Sequence, residues 1–369
     1  MRAKPVAVSL GAVLALAVAL PWAAAGPAGL RTDTRKALVP LDQIISGGPP
    51  PDGIPAIDHP VFVSSTEADA WLAPQEPVLA LQVDRDARAY PLQILMWHEI
   101  VNDVVGGRPV AVTYCPLCNS GVVFDRVVDG RTLDFGTSGQ LYQSDLVMYD
   151  RQTHSLWAQM EGRAIVGERA GTGLRILPAN TIAYEEWKAD YPGGRVLSHD
   201  TDHPRRYGTN PYEAYDELTT APFLFRGRPD PRRPPKERVV GVVIGQQARA
   251  YPWSLLEQRR VVQELVGDIP IVVFLRPGTL SALDRTQIAE SRAIGASGVF
   301  TSRLASRALT FEPVAEGFRD RETGTTWSLL GHATEGQLAG QRLSPVPHVD
   351  AFWFAWAAFH PTTTVYAGE

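Results

Sequence analysis

Glu76-Pro-Val-Leu-Ala-Leu-Gln-Val-Asp-Arg-Asp-Ala-Arg-Ala-Tyr-Pro91 returns later in the chain as Glu237-Arg-Val-Val-Gly-Val-Val-Ile-Gly-Gln-Gln-Ala-Arg-Ala-Tyr-Pro252. The offset is 161 (237 − 76) and holds without a gap as far as Pro116 and Pro277. Leu95/Leu256, Val101/Val262, Gly106/Gly267, Pro109/Pro270 and Val112/Val273 match along the way. Beyond it, Trp157 and Trp327 share the pattern Asp-Arg-x-Thr-x-x-x-Trp, and Trp187 and Trp356 precede Pro192 and Pro361. The 369 residues therefore read as a tandem duplication of one unit.

Each copy carries the same signals. A strand, a polar turn and a second strand end at Tyr-Pro, and periodicity predicts a helix over 92–105 in the first copy. On it Ile94, His98, Val101 and Val105 share one face. A strand over 109–114, hairpins turning at Asp129-Gly130 and around Gln152-Thr153, and a short aromatic helix near 181–190 complete the unit. Strands outnumber helices and their order is mixed, so the expected class is α+β, as two tandem pseudo-symmetric lobes.

Outward from the repeat, 26–75 form an extension that includes Ser46-Gly-Gly-Pro-Pro-Pro-Asp-Gly53, rich in helix and strand breakers. The first lobe is expected over 76–225, a Pro/Arg-rich linker over 226–236 and the second lobe over 237–369. Arg2 and Lys4, the apolar run Val6 to Leu20 and Ala23-Ala-Ala25 have the layout of a signal peptide, 1–25. An uncleaved anchor is the alternative; no other stretch is apolar enough to span a bilayer. The expectation is a periplasmic or extracellular protein without a membrane span in its mature form. A net charge of −5 gives no footing for nucleic acid, which leaves a small molecule, a metal or an envelope protein as partner.

The two copies differ where chemistry is concentrated. Cys115 and Cys118, the only cysteines, lie in Thr113-Tyr-Cys-Pro-Leu-Cys-Asn-Ser-Gly121. At the same offset the second copy has Arg276 and Thr279, and Arg259 replaces His98. Phe135 to Asp150 spans fifteen positions against nine from Phe311 to Asp320, so the first copy has six extra residues (15 − 9). They are expected as a Gly/Ser loop, 136–145, whose Tyr142 or Asp145 turns toward the cysteines. The first lobe thus reads as active and the second as structural.

The segments Trp97-His-Glu-Ile-Val-Asn-Asp103, Thr113 to Gly121 and Phe135 to Thr153, with Ser155-Leu-Trp-Ala-Gln159, resemble a bacterial and archaeal family catalogued as domain of unknown function 3179. The resemblance covers most of 76–215 and implies no activity, so the chemistry rests on the residues.

Two cysteines at this spacing suit a metal site, a redox dithiol or a structural disulfide. His98, Cys115 and Cys118 make an expected ligand set of two sulfurs and one nitrogen for zinc or copper, with Glu99 adjacent. A zinc deaminase also pairs His-x-Glu with Pro-Cys-x-x-Cys, but here His and Glu are neighbours and the proline lies between the cysteines. The leading expectation is an exported copper- or zinc-binding protein with a redox or catalytic role. A thiol–disulfide oxidoreductase using Cys115 and Cys118, and a binding module stapled by a disulfide, stand as alternatives.

Overall fold

The computed structural model describes residues 29–368. Residues 1–25, expected as a signal peptide, lie outside the described residues. Within them strands far outnumber helices, as an α+β chain requires, and the helices are short.

The repeat is legible element by element. Strands Pro77–Val83 and Asp86–Pro91, helix Leu92–His98, and strands Ile100–Val105 and Arg108–Cys115 follow one another in the first half. Strands Arg238–Ile244 and Gln247–Pro252, helix Trp253–Arg259, and strands Val261–Val266 and Ile269–Arg276 follow in the second, each shifted by 161. Strand neighbours recur as well. Ala179–Ala183, Pro77–Val83, Asp86–Pro91 and Arg195–Leu197 lie side by side, as do His348–Phe352, Arg238–Ile244, Gln247–Pro252 and Thr364–Val365. In both sheets the last of the four strands joins in parallel to an otherwise antiparallel ladder.

The identical Ala-Arg-Ala-Tyr-Pro has a mechanical explanation. Arg88 bonds both oxygens of Asp103, at 2.7 and 2.6 Å, and the Tyr90 hydroxyl donates to the same carboxylate. Arg249 and Tyr251 hold Glu264 in the same way. The motif ties the first hairpin to the strand beyond the helix through a charge-assisted bond in a largely dry setting. A second motif repeats too. Asp150 accepts from Thr153 and from the Trp157 indole, and Asp320 accepts from Thr323 and the Trp327 indole, the indole bonds being 2.9 Å in both.

Three local expectations change. The helix stops at His98, not near 105: Glu99 takes a left-handed φ of 57° and ends it. Ile100 and Val101 then begin a strand, where β-branched side chains lose less freedom than in a helix. The stretch 136–145 is not a loop. Phe135–Tyr142 and Asp145–Asp150 pair as a hairpin, bulged between Thr137 and Gln140 and turned by Gln143 and Ser144, both at positive φ. The extra residues lengthen its arms, since Phe311–Val314 and Gly317–Asp320 form the shorter hairpin of the second half. The extension 26–75 is not structureless either. Ile44–Ser46 and Phe62–Ser64 add edge strands to two sheets of the first half.

The halves share their interior. One apolar cluster runs from Tyr114, Met148 and Trp157 to Val239, Phe352, Phe354 and Trp356. The stretch expected as a linker is anchored in it. Lys236 is 1% exposed, its ammonium donates to the Tyr215 carbonyl and the Thr220 hydroxyl at 2.6 Å, and Phe354 N–H donates to the Pro235 carbonyl. A fragment ending at 225 would expose that shared surface to water, at about 25 cal/mol per Å² of apolar area. Residues 29–225 expressed alone should therefore show no cooperative urea transition by circular dichroism, whereas the full chain shows one. An autonomous, cooperatively unfolding fragment would contradict the shared core.

Candidate metal centre

Cys115 ends the strand Arg108–Cys115, and its ladder partner across the turn is Ser120. Between them Pro116 to Asn119 reverse the chain. Asn119 N–H donates to the Pro116 carbonyl at 3.2 Å, and Asn119 sits at φ 52°, a region asparagine tolerates. The C-P-L-C stretch is thus the tip of a β-hairpin and not the start of a helix, so no helix dipole acts on the thiols.

The lengthened hairpin brings a third group to this tip. Asp145, the first residue of its second arm, places a carboxylate oxygen so close to both sulfurs that the three ligand atoms lie within 4.8 Å of one another. Asp145 Oδ2 accepts from Met160 N–H at 2.8 Å, while Oδ1 meets no N–H or O–H donor and faces the thiols. The Cys118 thiol reaches the Ser144 carbonyl at 3.5 Å. From the second half, Phe352 N–H donates to the Cys118 carbonyl at 2.9 Å, which seats the tip against the shared core.

Electrostatics set the chemistry. Cys115, Cys118 and Asp145 are 2, 0 and 0% exposed, both cysteines are free, and burial raises both thiol pKa values. Burial lifts Asp145 to about 7. Glu99 is lifted to about 8, first by burial and then by the Asp145 charge. Among the described residues no ion pair offsets either carboxylate, and the Glu99 carboxylate makes no hydrogen bond. Four acidic groups thus share a dry volume without a cationic side chain bound to them. Such a group stays protonated or takes up a cation.

The expected third ligand is elsewhere. His98 is fully buried, but its Nδ1 lies 2.7 Å from the Pro55 carbonyl and its Nε2 2.7 Å from the Tyr207 hydroxyl. These partners assign Nδ1–H as donor and Nε2 as acceptor, a neutral imidazole, consistent with burial lowering its pKa to about 4. With both nitrogens used, His98 stands outside the ligand group, and Asp145 takes the place expected of it. Tyr142 does not join either; it packs edge-on against Phe359, ring centroids 5.7 Å apart. Glu99 follows the helix with a left-handed backbone, is not in the ligand group, and its charge adds to the burial that raises the Cys115 thiol.

Two tyrosines near the site were not anticipated. Tyr212 and Tyr215 belong to the segment that connects the halves, and the charges of Cys115 and Glu99, or of Cys118 and Cys115, add to the burial that raises their pKa values. The signal for them was compositional. Tyr207, Tyr212, Tyr215, Phe223 and Phe225 recur through a stretch otherwise rich in Pro, Arg and Asp, where an exposed linker has no need of aromatics.

Among the described residues no helix is long and apolar enough to cross a membrane. No curated protein matches the chain, and no solved structure does. One family model matches, over residues 51–363, and it takes in the repeat, the cysteine hairpin and the covering segment together. The chain belongs to the family described as protein of unknown function, DUF3179.

Proposed function

We propose that this is an exported metal protein in which Cys115, Cys118 and Asp145 hold a zinc ion, with a fourth position facing Glu99. The observation that carries this reading is the carboxylate of Asp145 set against two buried thiols. It is delivered by a hairpin that is long only in the half that has the cysteines.

Zinc is favoured over copper by the donor set. Two thiolates and a hard carboxylate oxygen suit a borderline cation, whereas monovalent copper prefers sulfur throughout. A redox dithiol fits less well, since its attacking cysteine works as a thiolate near neutral pH, while burial here disfavours both thiolates. Export, read from the segment ending near Ala25, supports the same choice, because a metal keeps such a pair from oxidising outside the cytoplasm. Zinc on three protein ligands brings a water in the fourth position to a pKa near 7, the basis of metal-assisted hydrolysis. Glu99 is held protonated by burial and by the Asp145 charge, and a bound cation would lower its pKa so that it could take a proton there.

Native protein purified without a histidine tag should carry about one zinc per chain by plasma mass spectrometry. Cys115→Ser, Cys118→Ser and Asp145→Asn should each lower that content by roughly tenfold or more at limiting zinc, because two remaining ligands hold the ion weakly. His98→Ala and Glu99→Gln should keep it. Loss of metal in folded His98→Ala would return the histidine to the ligand set. Metal-free protein with a reversible Cys115–Cys118 disulfide would favour an oxidoreductase.

Stability should respond to pH in opposite directions with and without metal. Burial raises the folded pKa of Glu99 to about 8 and of Asp145 to about 7, above ordinary carboxylate values of 4.5 and 3.8. Between those limits the folded metal-free state binds more protons than the unfolded chain, so its stability falls as pH rises, by up to about 1.4 kcal/mol per pH unit and group. Zinc binding requires deprotonated ligands and strengthens over the same range. The urea midpoint of chelator-treated protein should drop from pH 5 to pH 8, and the zinc-loaded midpoint should hold or rise. A metal-free midpoint that climbs over this range would mean that the carboxylates are already compensated.

A further inference from the structure

At the place in the second half that corresponds to the metal centre, the chain opens into a cleft of about 500 Å³ on the seam between the halves. Arg276 and Thr279, at the positions equivalent to Cys115 and Cys118, form part of its wall. The helix Tyr184–Asp190 of the first half adds Glu185, Glu186 and Asp190, and Glu316 comes from the turn of the short hairpin. Four carboxyl groups and one guanidinium therefore line the cleft; Arg276 pairs with Glu186 at 2.8 Å and with Glu316 at 3.4 Å, and Asp190 accepts from the Ser328 hydroxyl at 2.6 Å.

Two polar atoms on this wall lack partners. The Thr279 hydroxyl belongs to a residue only 2% exposed and makes no hydrogen bond, and Glu186 Oε2 is likewise buried and unbonded. A buried polar atom left unpaired costs about 1–3 kcal/mol, so two on one wall mark a place where a ligand supplies what the protein does not. Glu186 and Asp190 stand one helical turn apart on the same face. Burial raises the pKa of both, Glu186 to about 7 despite the neighbouring Arg276. The four carboxyl groups outnumber the guanidiniums whose charge reaches them, Arg276 of the wall and Arg342 near Asp190.

No three of the cleft's carboxylates bring ligand atoms within 4.8 Å of one another, so they do not form a three-ligand cage for a metal ion. An alkylammonium group has three donors on a flexible stem and can reach acceptors set apart. The volume is in the range of small-molecule sites. We propose that this cleft binds a small organic amine, its ammonium held between Glu186 and Asp190 and a second polar group reaching Thr279. The duplication would then have kept one site for a metal and turned its counterpart to a cationic ligand.

Titration calorimetry of the full chain tests this with 1,4-diaminobutane, against butane-1,4-diol and succinate as neutral and anionic analogues of equal length. The diamine should bind and the other two should not. Glu186→Gln with Asp190→Asn should weaken the diamine by roughly tenfold or more, the loss of charge-assisted bonds, while zinc content stays unchanged. Thr279→Val, a near-isosteric change, should weaken it less. Equal heats for diamine and diol, no diamine binding at millimolar concentration, or full affinity in the folded double variant would each overturn the proposal. The analogue comparison uses the unaltered protein, so it stands even if the double variant fails to fold.

Discussion

Two thiols and a carboxylate are confined to a volume less than 5 Å across and shielded from solvent. Burial keeps both thiols and the carboxyl group largely protonated there, because ionising any of them in a dry setting is costly. The surroundings are built around that constraint. The hairpin tip fixes the sulfurs, the lengthened hairpin fixes Asp145, and the second half closes over them through the Phe352–Cys118 hydrogen bond. A divalent ion would turn this costly arrangement into a stable one.

The scaffold explains how one half can carry such a site and the other can do without it. The Arg–Tyr–carboxylate clamps at Asp103 and Glu264 and the Asp–Thr–Trp knots at Asp150 and Asp320 occur in both halves. Neither motif touches the cysteines. They hold the sheets and leave the hairpin tips free to differ, so Arg276 and Thr279 can stand where the sulfurs stand. The candidate site thus lies at a hairpin tip of a repeated frame.

Much of this was readable from the chain. The 161-residue offset located strands, helices and sheet neighbours in both halves, because it held across ungapped apolar patterns. Loss of both cysteines from the second copy singled out the candidate site, and the six-residue insertion pointed to Tyr142 or Asp145, of which Asp145 lies in the group with the cysteines. The partners of His98 were hidden, because a buried histidine near cysteines looks the same in sequence whether it binds a metal or a carbonyl. What decided it was Pro55, 43 residues earlier, and Tyr207, 109 residues later. The end of the helix was also hidden: Ile100 and Val101 continue an apolar face, and only the left-handed backbone of Glu99 breaks it. The burial of Tyr212 and Tyr215 near the site was obscured by the prolines and arginines around them.

X-ray absorption at the zinc edge of the loaded protein tests the central claim most directly. The account predicts two sulfur scatterers at about 2.3 Å and oxygen scatterers at about 2.0–2.2 Å, without the outer-shell pattern of an imidazole ring. Clear imidazole scattering, or a shell of nitrogen and oxygen alone, would contradict a site built from Cys115, Cys118 and Asp145.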